Sequence, residues 1–228
     1  MRERFVRKLN ELHKEMIEMG MLCEKTIART YQLLLTKEDQ ERLSSEISSM
    51  EVEIDRQERE IESICLQLLL QQQPVATDLR RVSAALKMIT DMERIGDQAT
   101  DIAEIIRTGN IDIPVTGIGI TEMAEATMAM VNKSVEAYVD KNLAAAQETI
   151  DSDDRIDAMF LEVRSNLTKK IASGEADANQ CLDLLMIAKY YERIGDHATN
   201  LAEWVEFSIT GKHRRGKEMQ DVFSHTVY

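Results

Sequence analysis

Leu9, Leu12, Met16, Met19, Cys23 and Thr26 recur at the three-and-four spacing of a helix with one buried stripe, which predicts a first helix over about residues 3–36. A second starts at Asp39 or a neighbour. Along it Ile47, Ile54, Ile61 and Leu68 repeat every seven residues, with Met50, Ile64 and Cys65 filling the stripe to about Gln71. The run of glutamines and then Pro74 should end it, because proline lacks an amide donor and restricts the residue before it. Thr77-Asp78 falls in or near the first turn of a third helix, where side-chain oxygens satisfy free amides. Leu79, Val82, Leu86, Ile89, Ala99, Ile102 and Ile106 carry its packing faces to about Thr108.

The stretch Gly109 to Gly119, with Pro114 inside it, is the one good linker candidate and splits the chain almost in half. Three more helices are expected, at about 118–140, Asn142–Ser173 and Glu175–Thr210, with Gly174 as the last break. Short connections between long helices make antiparallel neighbours, so each half reads as a three-helix bundle. The expected fold is all-α, with one bundle over 1–109 and a second over 118–210. The remainder, 211–228, begins with the basic run Gly211-Lys212-His213-Arg214-Arg215-Gly216-Lys217 and reads as a flexible tail.

Composition narrows the function. Hydrophobic residues make up 43% and charged residues 30% of the 228 positions, with few aromatics and two prolines, the profile of helices packed through Leu, Ile, Met and Ala. A net charge of −13 argues against a general nucleic-acid binder and favours cations, basic surfaces or other proteins as partners. Cys23, Cys65 and Cys181 are far apart among apolar positions, so they read as buried thiols in a reduced cytoplasm. The N-terminus lacks a signal-peptide pattern, and no run approaches the ~18 to 20 apolar residues that span a bilayer. Membrane association is expected only peripherally, through partners.

The chain then repeats itself. The segment from Met92 to Ile105 aligns without a gap on the segment from Tyr191 to Trp204, and both retain Glu-Arg-Ile-Gly-Asp, at 93–97 and 192–196. Each preceding helix carries a matching acid pair. Glu51 with Asp55 and Glu93 with Asp97 lie in the first half; Asp153 with Asp157 and Glu192 with Asp196 lie in the second. A spacing of four puts both acids of a pair on one helix face, where they repel by a few tenths of a kcal/mol. With 41 acidic residues in the chain, one such pair is an ordinary solvated face. Four pairs in matching places suggest a cation that offsets the repulsion.

Gly96 and Gly195 sit between the acids, where glycine costs ~1 kcal/mol relative to alanine. They let another helix, or a metal cluster, approach the backbone. Arg94 and Arg193 can pair with Asp97 and Asp196 or face a partner. Carboxylate donors without cysteine suit hard cations such as Fe(III), manganese, magnesium or calcium better than structural zinc. His197 stands where the first copy has Gln98, so it is not a shared ligand, and Asp101 faces the uncharged Asn200 in the alignment. A di-iron carboxylate enzyme would need Glu-x-x-His pairs, yet the residues three before the histidines are Asn10, Ile194, Thr210 and Val222. No nucleotide-binding loop, nucleophile elbow or zinc-protease motif is present. A di-metal redox or hydrolytic enzyme and a metal-free scaffold remain the competing readings.

Met50-Glu51-Val52-Glu53-Ile54-Asp55, Gln73-Pro74-Val75-Ala76-Thr77-Asp78-Leu79-Arg80 and the two Glu-Arg-Ile-Gly-Asp copies resemble the PhoU family over roughly residues 1–210. That resemblance implies two tandem three-helix bundles related by pseudo-twofold symmetry. It also implies iron or zinc clusters, or other divalent ions, on Glu51, Asp55, Glu93, Asp97, Asp153, Asp157, Glu192 and Asp196, with no catalytic residue. Its further implications are a cytoplasmic protein, often a homodimer, and negative regulation of phosphate uptake and phosphate-starvation genes. The family couples the ATPase of the phosphate-specific ABC transporter to a sensor histidine kinase. The second half has no counterpart of the 74–80 segment, so a partner contact through Arg80 or Arg81 would be one-sided.

Overall fold

The computed structural model describes residues 2–37, 39–71, 76–109, 111, 115 and 117–212. Pro74, Pro114 and the basic tail beyond Lys212 therefore lie outside the described residues. Seven helices and no strand occur within them: α1 (Arg2–Leu35), α2 (Gln40–Gln71), α3 (Ala76–Thr108), α4 (Ile120–Asp140), α5 (Leu143–Asp151), α6 (Asp153–Ser173) and α7 (Ala178–Thr210). None of the described helices is long and apolar enough to cross a membrane.

The first three helices follow the apolar stripes that predict them. Leu12, Met16, Met19 and Cys23 of α1 and Ile47, Ile54, Ile61 and Leu68 of α2 are buried to within 1% of full coverage. Each such side chain contributes about 1.5–3 kcal/mol of apolar burial. Asp78 lies in the first turn of α3, where a negative charge meets the positive end of the helix dipole.

One expectation fails. The long helix expected over Asn142–Ser173 is two helices, separated at Ser152. There the backbone tightens, because the Ser152 amide bonds the Thr149 carbonyl and the Arg155 amide bonds the Ser152 carbonyl. The Ser152 hydroxyl donates to the Glu148 carbonyl at 2.7 Å, the local bonding by which serine competes with a continuing helix. Asp153 and Asp154 then open α6 favourably for its dipole. Asn142 caps α5 by accepting from the Ala145 amide. Asp177 caps α7 from the Asn179 and Gln180 amides, which moves the start of α7 from the expected Glu175 to Ala178. Each cap is worth ~1 kcal/mol. Gly174 ends α6 in the left-handed region, φ 72°, where a side chain would be strained.

α1, α2 and α3 pack on one another, and α4, α5 and α6 pack around α7. The two sets meet through α3 against α7 and α1 against α4. Both junctions join equivalent helices of the two halves, as a pseudo-twofold axis requires. One apolar core runs through both sets. Tyr191 of α7, fully buried, crosses the junction with its hydroxyl 3.1 Å from that of Thr30 in α1. Thr127 of α4 donates to the Tyr191 carbonyl.

Candidate metal centre

The packing of α2 on α3, and of α6 on α7, decides where the eight acids point. Gly96 and Gly195 act as notches. A Cβ on Gly96 would stand 3.0 Å from Ile54 Cδ1, and one on Gly195 would stand 3.3 Å from Ile156 Cγ2. Both isoleucines are buried. Ile54 directly precedes Asp55 and Ile156 directly precedes Asp157. Seating each isoleucine in the facing notch therefore brings each acid pair beside the Glu-x-x-x-Asp pair of the next helix.

Charge coupling follows that geometry. On the α2/α3 face, Glu51 is held above the usual carboxylate range by partial burial and then by Asp55 and Asp97. Glu93 is raised by burial and Asp97, with Arg94 opposing and with Glu58 and Asp55 adding. On the α6/α7 face, partial burial and the charges of Glu192, Asp153 and Asp157 push Asp196 up to about 6, against the pull of Lys189. The structure thus gathers the expected residues four and four. Among the described residues, however, no three His, Cys, Asp or Glu side chains converge into a closed ligand set. The acids share a half-exposed face.

The two faces differ in ways the alignment hides. On α2/α3, Arg94 reaches Asp97 at 2.9 Å, as its spacing predicts, and Glu58 adds a further acid. Burial raises Glu58 too, followed by Asp55 and Glu62. Glu58 stands outside the four acid pairs, although Glu51, Asp55, Glu58 and Glu62 follow one helical stripe. On α6/α7 its place is taken by Phe160, and the Lys189 ammonium sits 5.4 Å from that ring while pairing with Glu192. Arg193 turns instead over the ring of Tyr190. Thr199 donates to Asp153 at 3.0 Å, whereas the hydroxyl of its counterpart Thr100 is buried with no partner.

That orphan hydroxyl and the crowded carboxylates of α2/α3 fit a hard cation, which accepts oxygen ligands and relieves like-charge repulsion. Glu51, Asp55, Glu93 and Asp97 would hold it there. Asp153, Asp157, Glu192 and Asp196 would hold it on the other face, with Lys189 already supplying one positive charge. His197 lies apart from these ligands. Its Nδ1 is 2.9 Å from Asp91 Oδ1, and Asn200 Nδ2 donates to the same oxygen at 3.1 Å, joining α7 to α3. The related position across the axis pairs the Tyr190 hydroxyl with Asp101.

Crowding has a testable sign. A raised Asp196 keeps its proton to about 6 in the folded chain but to about 3.8 when unfolded. Between those values the folded state binds more protons, so with metal stripped its stability falls as pH rises from about 4 to 6. Asp196→Asn should flatten that dependence and raise the pH 7.5 melting temperature of stripped protein by about 1–3 °C, given a few tenths of a kcal/mol for each like-charge neighbour. Thermal melts by circular dichroism across pH 4–8 check it; an unchanged slope in the variant would remove Asp196 as the cause.

The family model for the PhoU domain matches the chain twice, at residues 16–106 and 120–205. The phosphate-specific transport system accessory protein PhoU homolog of Clostridium acetobutylicum is 36% identical over 213 residues, covering 92% of this chain and 96% of that one. Its Zymomonas mobilis counterpart is 31% identical, over 92% of this chain and 90% of its own. The crystal structure of PhoU from Pseudomonas aeruginosa superposes with a TM-score of 0.84 at 24% identity, over 91% of this chain and all of that one. That of the phosphate transport system regulatory protein PhoU from Streptococcus pneumoniae gives 0.82 at 22%, over 92% and 98%. With one domain model matched in each half and relatives of this identity along nine-tenths of its length, the chain belongs to the PhoU family.

Proposed function

We propose that this protein is a non-enzymatic, metal-binding regulator of phosphate uptake. It acts in the cytoplasm as an adaptor, in homodimeric form, between the ATPase subunit of a phosphate-specific ABC transporter and a sensor histidine kinase. Family membership supports the phosphate-transport setting, since the relatives carry that role in their names. The observation that carries the metal reading is the pair of carboxylate faces, each built from two helices locked by an isoleucine in a glycine notch. Their exposure favours an adaptor over a di-metal enzyme. All eight acids are at least partly open to solvent, whereas catalytic metals sit in water-excluding pockets.

Iron, zinc, manganese, magnesium and calcium are the ions to test, with hard cations expected to bind best to an all-oxygen donor set. The adaptor role is tested by affinity capture from cells grown at high and low phosphate, using wild type and Glu93→Ala/Glu192→Ala. The transporter ATPase and the kinase should co-purify with wild type in a phosphate-dependent way and be depleted at least several-fold with the variant. Absence of both partners at every phosphate level would refute the adaptor role.

A further inference from the structure

A second polar site lies away from the carboxylate faces, where the first half of α1 meets the start of α3, the end of α4 and the end of α7. It is a cavity of about 240 Å³, many times the roughly 15 Å³ that one water needs. His13, Arg81 and Lys141 line it together with Asn10, Tyr138 and Ser208, and no carboxylate does. In a chain with 41 acidic residues against 28 basic ones, an acid-free cavity with two fixed cations and an imidazole is unusual. Among the described residues, the side chains of Arg81 and Lys141 make no ion pair, while arginines 42, 56 and 94 each hold a carboxylate.

The local field agrees. Burial, then the positive charges of Lys141 and Arg81, hold the His13 imidazole below its usual value. The Tyr138 ring lies tilted against that of His13, centroids 5.2 Å apart, and lines the cavity beside it. Lys141 adds an independent sign. It is the residue just after α4 and has φ 52°, in the left-handed region where glycine is the ordinary choice and a lysine side chain is strained. A strained residue at the rim of a cavity points to a role for its side chain there. Charge near the helix C-terminus is favourable, but a lysine earlier in the last turn would supply it without strain.

We propose that this four-helix junction binds a small doubly charged oxyanion of the phosphate type, held by Arg81 and Lys141. Arg81 offers a planar fork of donors suited to tetrahedral oxygens, and Lys141 a point charge. Asn10 can donate to a remaining oxygen, and the His13 ring to one more, while the Ser208 hydroxyl is committed to the Val205 carbonyl at 2.8 Å and only lines the wall. The site is distinct from the metal faces: Arg81 and Glu93 are twelve residues apart on α3, ~18 Å along the axis, and Ser208 and Asp196 are equally far apart on α7. α3 and α7 are the two helices that carry the Glu-Arg-Ile-Gly-Asp segments, so an anion here would bridge the helices on which the metal faces are built. The inference goes beyond the adaptor reading and does not depend on it.

Calorimetric titration of the full chain with inorganic phosphate at pH 7.5, after metal stripping and desalting, tests it; chloride at matched ionic strength is the control. Wild type should bind phosphate saturably at one site. Arg81→Gln/Lys141→Gly should bind it at least tenfold more weakly while keeping its helical circular dichroism, since glycine fits the left-handed backbone at 141. Glu93→Ala/Glu192→Ala should bind as wild type does, which separates this site from the metal faces and from the adaptor role. Phenyl phosphate distinguishes the sources. Binding tenfold tighter than phosphate would assign the pocket to a phosphate group carried on a larger molecule; equal or weaker binding would assign it to the free ion. No saturable heat with wild type for either compound, a response matched by chloride, or undiminished affinity in the Arg81/Lys141 variant would overturn the proposal.

Discussion

Tyr191→Ala lowers the melting temperature by roughly 10 °C or more, the largest single-residue effect expected in this fold. Tyr191 is a large, fully buried side chain, and it sits where α7 meets both α1 and α4. Truncating a buried aromatic to alanine costs ~3–5 kcal/mol from lost transfer energy and the cavity left behind. For a chain of this size each kcal/mol moves the midpoint by about 2–4 °C. Tyr191→Phe separates packing from hydrogen bonding. The Thr30 hydroxyl already donates to the Ile27 carbonyl at 2.8 Å, so it is the tyrosine that donates to Thr30. Phenylalanine keeps the ring and removes a single bond worth ~1 kcal/mol, for a loss of about 2–4 °C. Melts followed by circular dichroism read both; equal losses in the two variants would show that the hydroxyl, not the ring, holds the junction.

Adding a hard cation to stripped protein raises its melting temperature by about 5–10 °C when the free ion stands at 100 times its dissociation constant. At that excess, binding to the folded state alone contributes ~2.7 kcal/mol. Manganese(II) and iron are the first ions to try. The gain should disappear in Glu93→Gln/Glu192→Gln, which removes one charged ligand from each face. It should also shrink between pH 7.5 and pH 5, because ligands must be deprotonated to bind and Asp196 holds its proton up to about 6. No rise with any of the five proposed ions, after confirmed stripping, would leave the carboxylate faces as solvated surface.

How far the sequence could be read depended on the range of the interactions. Helix stripes are local: Ile47, Ile54, Ile61 and Leu68 lie on one face wherever α2 goes, so their burial could be read directly from the sequence. The acid pairs are local too, and the duplication marked them as a set. Glycines 96 and 195 were ambiguous, because a missing side chain shows that something comes close but not what. The structure supplies Ile54 and Ile156. What His197 does is likewise a long-range matter, since its partner Asp91 is 106 residues away. The break at Ser152 is silent in the sequence, because a one-residue interruption leaves the apolar spacing almost intact. The cationic cavity had no sequence signal at all, its residues being drawn from α1, α3, α7 and the end of α4.

The sequence by itself determined the all-helical fold, the two matching halves, the four acid pairs and the family. These depend on periodicity and on repeated short spacings that survive any tertiary arrangement. The tertiary structure decided which faces meet. It set α3 against α7 and α1 against α4, made the glycines helix notches and left one carboxylate face more acidic than the other. It also gathered Arg81, Lys141 and His13 around one cavity, because contacts between distant residues depend on how helices pack and no local pattern encodes them.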